Sequence, residues 1–290
     1  MSYRRTWSLG VAPLGIFYLV FFVLPEIYFA SKAFYRSDDL GRTTGAATTD
    51  TFTSVLTNSF YLNAILRTVE LCLITTVLTV FLAYPIAYAC VRSRVWGRTI
   101  FICVAAAMFS NAVARVLGWR VLLALDGPIN KVIVGLGLSD HPLALTNNFL
   151  GVTIGTVHAM LPIAVIGLMP VCEAVSREQL EAASGLGASS WRTFRTVLLP
   201  QASGGLISIG MLVFAVTAGA FTTPALLGGG RVAVLPILIY TAANQSLDYS
   251  TAAVLGIVLF VLVMLAVMAG LLIGRRGAMH RAAAAAKKVS

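Results

Sequence analysis

The residues of this chain that could do chemistry are few, and their spacing rules out most of the chemistry their types suggest. A nucleotide-phosphate loop needs glycine amides to cradle the phosphates and a lysine directly after the last glycine. The four lysines, Lys32, Lys131, Lys287 and Lys288, each follow a residue other than glycine. The four cysteines, Cys72, Cys90, Cys103 and Cys172, fall in or at the edge of apolar runs with no CxxC spacing, which reads as small buried side chains rather than metal or redox ligands. His141, His158 and His280 are too scattered for local spacing to build a metal site. No catalytic residue, metal or cofactor is expected. What remains is a set of polar groups inside apolar stretches: Arg67, Glu70, Asn111, Arg115, His158, Thr217 and Asn244. A polar side chain at membrane depth is costly, so each is a candidate for lining a solute path, and Glu70, Asn111 and Arg115 are the candidates carried forward. Arg67 and Glu70, three residues apart on one helical face, are expected to pair with each other. For His158 a packed, hydrogen-bonded ring is the plainer expectation.

The elements that must position these groups follow from composition. Of 290 residues 58% are hydrophobic and 11% charged, whereas a soluble domain carries about 25% charged residues. Most of the chain therefore belongs in lipid, where a helix of about 20 apolar residues satisfies its own backbone across a core of roughly 30 Å. Six such spans are expected, at Leu9 to Ala30, Leu62 to Cys90, Thr99 to Ala114, Asn148 to Cys172, Gly204 to Phe221 and Thr251 to Ile273. The third is short, and Val116 to Leu125 is expected as an amphipathic helix against the outer face. Pro85, Pro162 and Pro170 are placed to kink their helices. Gly151 and Gly155, four apart, could seat a close helix contact within the chain or between subunits.

The charge of +10 follows the membrane rather than a nucleic acid. With the N-terminus inside, the inner segments hold thirteen Lys and Arg, the outer loops five, and three more (Arg67, Arg115, Arg120) sit at outer span ends. The bias of inner loops toward basic residues selects this orientation, with both termini cytoplasmic. Arg4 and Arg5 anchor the first span, since no cleavage site follows a run of that length. The basic tail from Arg275 is expected to rest on anionic headgroups.

The longest inner connection, Glu173 to Leu199, is patterned as two short helices. Ser176 with Gln179 is an S-x-x-Q capping box. Glu178 and Glu181 suit the positive end of the helix that follows, and Gly187 falls where a left-handed C-terminal cap wants glycine. Ser189 or Ser190 can cap a second helix through Trp191 to Leu199, which Pro200 is expected to end. Glu181-Ala182-Ala183, then Gly187, then Val197, Leu199 and Pro200, resembles the EAA loop of type I ABC import permeases, with valine where isoleucine is commoner. A second stretch, Arg115, Gly118-Trp119, Leu122-Leu123, Gly127, Ile129-Asn130 and Gly135-Leu136-Gly137-Leu138, resembles that of spermidine/putrescine-type permeases, as do Phe221, Pro224 and Leu226-Leu227-Gly228-Gly229. It departs from them in an Asp126-Gly127-Pro128 turn and in a looser match at the first glycine of the final turn.

The resemblance implies an all-α polytopic membrane protein with the six-helix, MetI-like permease fold of type I ABC importers. The implied domains are an anchor, first helix and outer loop at 1–63, a permease domain at 64–273 and a basic tail at 274–290. Glu181, Ala182, Ala183, Gly187, Val197, Leu199 and Pro200 would couple to a separate ATPase, working as a dimer. A second homologous permease, or a second copy of this chain, would complete the pathway in the bacterial inner membrane. A separate extracytoplasmic solute-binding protein is implied too, because the outer loop Ser31 to Tyr61 is too small to capture a solute itself. The cargo would be a small organic solute: a polyamine such as spermidine or putrescine, or a related amine, opine, amino-acid-like compound or aminophosphonate. The alternatives are an ion-coupled secondary carrier, which should show inverted repeats and buried acidic coupling residues, and a membrane scaffold with no transport role.

Overall fold

A computed structural model describes residues 13–38, 43–45 and 47–286, with backbone alone at 43–44 and from 276 on. The Arg4-Arg5 anchor, the first four residues of the expected first span, Arg42 and the tail lysines lie outside the described residues. Among the described residues five helices are long and apolar enough to cross a membrane: Pro13–Phe34 (α1), Ser59–Arg92 (α3), Phe149–Glu173 (α7), Ser190–Ala218 (α9) and, over its apolar part, Tyr249–Arg275. The last belongs to a longer helix, Tyr249–Ala286 (α12). Between α1 and α3 lies the short helix Asp50–Thr57 (α2). A sixth crossing is possible only as a bent pair, Gly97–Met108 (α4) and Ala112–Leu122 (α5), which meet at 103°. Shorter helices fill the other connections: Pro128–Gly135 (α6), Arg177–Gly185 (α8), Thr222–Leu227 (α10) and Leu235–Asn244 (α11).

Two expectations are corrected. The third span does not run from Thr99 to Ala114: α4 is 12 residues, about 18 Å at 1.5 Å per residue, and the chain turns sharply at Phe109–Asn111. Arg115 therefore sits in the helix after the turn, and that helix begins before Val116. The second correction concerns Pro200, which does not end a helix. The segment Ser190–Ala218 is continuous because its turn Phe194–Leu198 is a π-helix in which Leu199 N donates to Phe194 O. This wider turn admits a proline that lacks an N–H and would crowd the carbonyl four residues back. The last span ends within two residues of the expected Ile273, and the helix continues beyond it to Ala286, as its run of alanines favours.

The chain divides into two compact units. One comprises the described residues up to Leu66 with Val234–Val261. Its core is Ala33, Val55, Leu235, Ala253, Val254 and Leu255, so the outer-loop helix α2 has no core of its own and joins that of this unit through Val55. Asp50, at the start of α2, takes a 2.5 Å ion pair from Arg36. That hydrogen bond, and a second with Thr48, hold its carboxyl below the ordinary carboxylate range. A cavity of about 510 Å³ in this unit is lined by Glu26, Phe29, Ala253, Gly256 and Phe260 among others.

The other unit comprises Arg67–Ala233 with the described residues from Leu262 on. Its center is α7, with 56% of its most apolar window buried. Ala83, Tyr84 and Ala87 of α3, Met160, Ala164, Val165, Leu168 and Cys172 of α7, and Ala202 and Val213 of α9 form one cluster. In lipid, helices associate through van der Waals contact rather than escape from water, and small residues let their backbones come close. Gly151 and Gly155 do this within the chain. A side chain at Gly151 would strike Leu145 O, and one at Gly155 would come to 2.6 Å from Leu227 Cδ1 and 2.9 Å from Thr223 Cγ2 of α10. Outward-facing Phe17, Phe21, Phe81, Phe260 and Leu265 are exposed, as surfaces made for lipid must be.

Candidate functional site

The hairpin at 173–200 is built from local caps. Ser176 caps α8, its Oγ accepting from Gln179 N at 3.3 Å. The glutamine side chain is engaged elsewhere: Gln179 Oε1 accepts from Gln201 Nε2 at 3.2 Å, tying the start of α8 to α9 across the hairpin. The helix ends as the glycine requires. Gly187 has φ +78, Ala188 N donates to Ala183 O at 3.1 Å and Gly187 N donates to Ser184 O at 2.9 Å. These two bonds make a Schellman cap, whose left-handed residue costs an L side chain roughly 1–2 kcal/mol. Ser189 then caps α9, accepting from Arg192 N at 3.3 Å.

The residues of the EAA loop fall into two groups. Glu181, Ala182 and Gly187 are exposed and Ala183 is half-buried; no ion pair engages Glu181 among the described residues. No atom lies within 4 Å of where a Gly187 side chain would begin, so the hairpin tip is open on that side. Leu186 beside it is 89% exposed. In the other group, Val197 and Pro200 are half-buried and Leu199 is exposed, around the buried Leu198. The structure thus exposes the small residues Ala182 and Gly187 beside one projecting leucine, Leu186, and roots the hairpin in the bundle through Leu198.

Two features that sequence reasoning missed hold this hairpin. Arg92, counted only as an inner positive charge, donates from Nη2 to Cys172 O at 3.3 Å and also to Val175 O, joining the last turn of α7 to the turn that leads into Ser176. Tyr84 meets Phe194 edge-on at 6.0 Å, and Phe194 stacks on Trp191 at 5.4 Å. The signal available was the spacing of Tyr84, Tyr88 and Arg92, four apart on one helical face.

The candidates for the solute path have local partners. Arg67 Nη1 pairs with Glu70 Oε2 at 2.9 Å, as the spacing predicts, and its guanidinium lies over the Phe149 ring at 5.7 Å. Asn111 caps α5, with Oδ1 accepting from Val113 N at 2.8 Å and Ala114 N at 3.3 Å. Arg115 reaches back to the end of α4, donating to Ala107 O at 2.7 Å, Ser110 O at 3.1 Å and Ser110 Oγ at 3.0 Å. Together these two residues satisfy both helix ends left open by the 103° bend. His158 meets Trp119 edge-on at 5.4 Å, but its Nδ1 has no hydrogen-bond partner among the described residues, so it is packed without the expected bond.

The outer stretch beyond Arg115 has a physical reading too. Asn130, 1% exposed, donates from Nδ2 to Ala124 O at 2.9 Å and Leu143 O at 3.0 Å and accepts from Leu143 N at 2.8 Å. One buried side chain so pins two loops. Gly127 lets the turn fold back onto α5, since a side chain there would come within 2.6 Å of Val121 O and 2.7 Å of Leu122 O. Asn147 N donates to Leu227 O at 2.9 Å, and the Asn147 side chain lies against the bare backbone of Gly229.

Comparison with known proteins places this arrangement. Residues 73–276 match the family model described as binding-protein-dependent transport system inner membrane component. The spermidine/putrescine transport system permease protein PotB of Escherichia coli (strain K12) is 30% identical over 217 residues, 74% of this chain and 78% of that protein. The molybdenum transport system permease protein ModB of Azotobacter vinelandii is 35% identical over 192 residues, 65% of this chain and 80% of that protein. Among solved structures, a chain of a bacterial alginate ABC transporter, in complex with an alginate pentasaccharide-bound periplasmic protein, superposes with a TM-score of 0.76. It shares 18% identity, with 95% of this chain and 96% of that one covered. A family match over most of the chain, with the same fold over nearly all of it, makes this protein a member of the binding-protein-dependent transport system inner membrane components, the multi-pass permeases of ABC importers.

Proposed function

We propose that this chain forms half of the membrane pathway of an importer for a small organic solute and couples it, through the hairpin at 173–200, to ATP hydrolysis on a separate dimeric subunit. A second permease, homologous or identical, completes the pathway, and a separate extracytoplasmic binding protein delivers the solute. Residues 64–273 carry transport, a reading supported by the family match over 73–276. Both termini face the cytoplasm, as the excess of basic residues in the inner segments favors.

The observation that carries the reading is the open face at Ala182, Ala183 and Gly187, beside the unpaired Glu181 carboxylate. Another protein can approach that backbone closely, and Glu181 offers it a charge-assisted bond. Glu70, Asn111 and Arg115 belong to the frame of the solute path, Asn111 and Arg115 by holding the bend between α4 and α5. Spermidine and putrescine head the solutes because a relative at 30% identity is a spermidine/putrescine permease; related amines, opines, amino-acid-like compounds and aminophosphonates follow.

The test is reconstitution in liposomes with the ATPase and binding protein, with a panel of amines and molybdenum as the contrasting cargo. Uptake should need ATP and a loaded binding protein. Gly187→Asp, which puts a branched charge where the partner must sit, should lower uptake at least about tenfold, within the range of inter-site coupling energies, while the protein remains folded. Undiminished uptake in Gly187→Asp, or uptake that survives ATP depletion under an ion gradient, would refute the reading.

A further inference from the structure

We propose that Arg92 is the positioning residue that makes the inner hairpin and α3 move as one body, so that displacement of the hairpin is passed to the longest helix before the bend. This rests on the hairpin being the coupling element.

The geometry is a grip on both arms of the hairpin from one face of one helix. Arg92, at the C-terminus of α3, donates to Cys172 O at 3.3 Å and to Val175 O. Val175 is 1% exposed and directly precedes Ser176, the cap of α8. The descending arm is therefore held at the residue where it leaves α7. Two turns back on the same face, Tyr84 packs edge-on against Phe194 at 6.0 Å. Phe194 opens the π-turn of the ascending arm and stacks on Trp191, which is 68% exposed at the start of α9. Tyr84 and Cys172 belong to one buried cluster, with Phe194 packed against it.

The chemistry of the arginine suits a link that must not slip. A planar guanidinium spans two carbonyls from one nitrogen, and one of them, Cys172 O, lies in the last turn of α7, where the negative end of the helix dipole falls. A packed contact alone could slide; a charge-assisted bond to two backbone oxygens holds a fixed register. The Arg92 ring contact with Tyr88, 5.9 Å to the centroid, keeps the side chain along the helix. α3 has 34 residues and is about 51 Å long at 1.5 Å per residue. It carries the Arg67–Glu70 pair in the same unit as the hairpin, so a push on Arg92 reaches a proposed path residue through a single helix.

The experiment is reconstitution of the full complex with Arg92→Ala and Arg92→Lys, scoring solute imported per ATP hydrolyzed together with recovery of the ATPase subunit. With Arg92→Ala the ATPase subunit should still copurify and hydrolyze ATP, while import per ATP falls about tenfold. Arg92→Lys keeps a donor and should recover part of that ratio. An Arg92→Ala complex with the wild-type ratio overturns the inference. So does a parallel fall of import and hydrolysis in an assembled Arg92→Ala complex, which would mark a purely structural role. Should Arg92→Ala fail to assemble, Arg92→Lys decides: a severalfold lower ratio supports the link and an unchanged ratio overturns it. A wild-type complex that imports nothing on ATP removes the permease reading itself, whereas a coupled wild type beside an indifferent Arg92→Ala removes only this inference.

Discussion

Asn111 and Arg115 show how a polar residue in an apolar stretch can have a local task in the fold. Asn111 accepts from two amides at the start of α5, and Arg115 donates to three oxygens at the end of α4. Each compensates backbone groups that a bend in lipid would leave bare, where every unsatisfied group is costly. Replacing an N-capping asparagine by alanine costs about 1 kcal/mol, so Asn111→Ala should lower the thermal midpoint of the purified protein and Asn111→Asp should restore it. The measurement is a melting curve alongside the KM for uptake. A changed KM at an unchanged midpoint would show that Asn111 touches solute rather than holding the bend. Gly187 makes the same kind of point with the opposite residue type, because its value lies in a backbone angle and in the lack of a side chain on an open surface.

At the scale of elements, close contacts between helices decide which substitutions the bundle tolerates. α7 and α10 meet at Gly155, where a new side chain would sit 2.6 Å from Leu227 Cδ1, and Leu227 is fully buried. Gly155→Val should therefore cost about 1–3 kcal/mol through overpacking. In a Leu227→Ala background the penalty should shrink, and a double-mutant cycle on thermal or denaturant unfolding measures the difference. Strict additivity would place the contact elsewhere. The elements themselves were legible to different degrees. Long apolar runs located both ends of α3 and α7 and the start of α12 to within a few residues, and the cap signals at Ser176, Gly187 and Ser189 located the hairpin, because these are local effects. The bend at Phe109–Asn111 was not legible: composition at 97–122 is apolar enough for one span, and the turn depends on Arg115 reaching back to Ala107 and Ser110. The passage of α9 through Pro200 was equally hidden, since it depends on a π-turn that no residue type announces. Of the candidate site, the EAA residues stood out in sequence, whereas Arg92 and Tyr84 act through partners 80 to 110 positions away, a separation that no local pattern encodes.

At the scale of the whole molecule, the chain is a membrane permease of the ABC importer family. In the proposed complex an ATPase partner drives it by binding its alternative conformations with different affinity, because a ligand shifts an equilibrium only by that difference. In that proposal the hairpin is where the difference is applied: it exposes small residues and the Glu181 carboxylate, and Arg92 and Tyr84 tie it to the buried cluster of α3, α7 and α9. The most direct measurement is site-specific crosslinking from Ala182→Cys in the assembled complex with the native cysteines replaced. The account predicts a crosslink to the ATPase subunit whose yield changes when ATP binds. A cysteine at 182 that never reaches that subunit, in a complex that still imports solute on ATP, would contradict it.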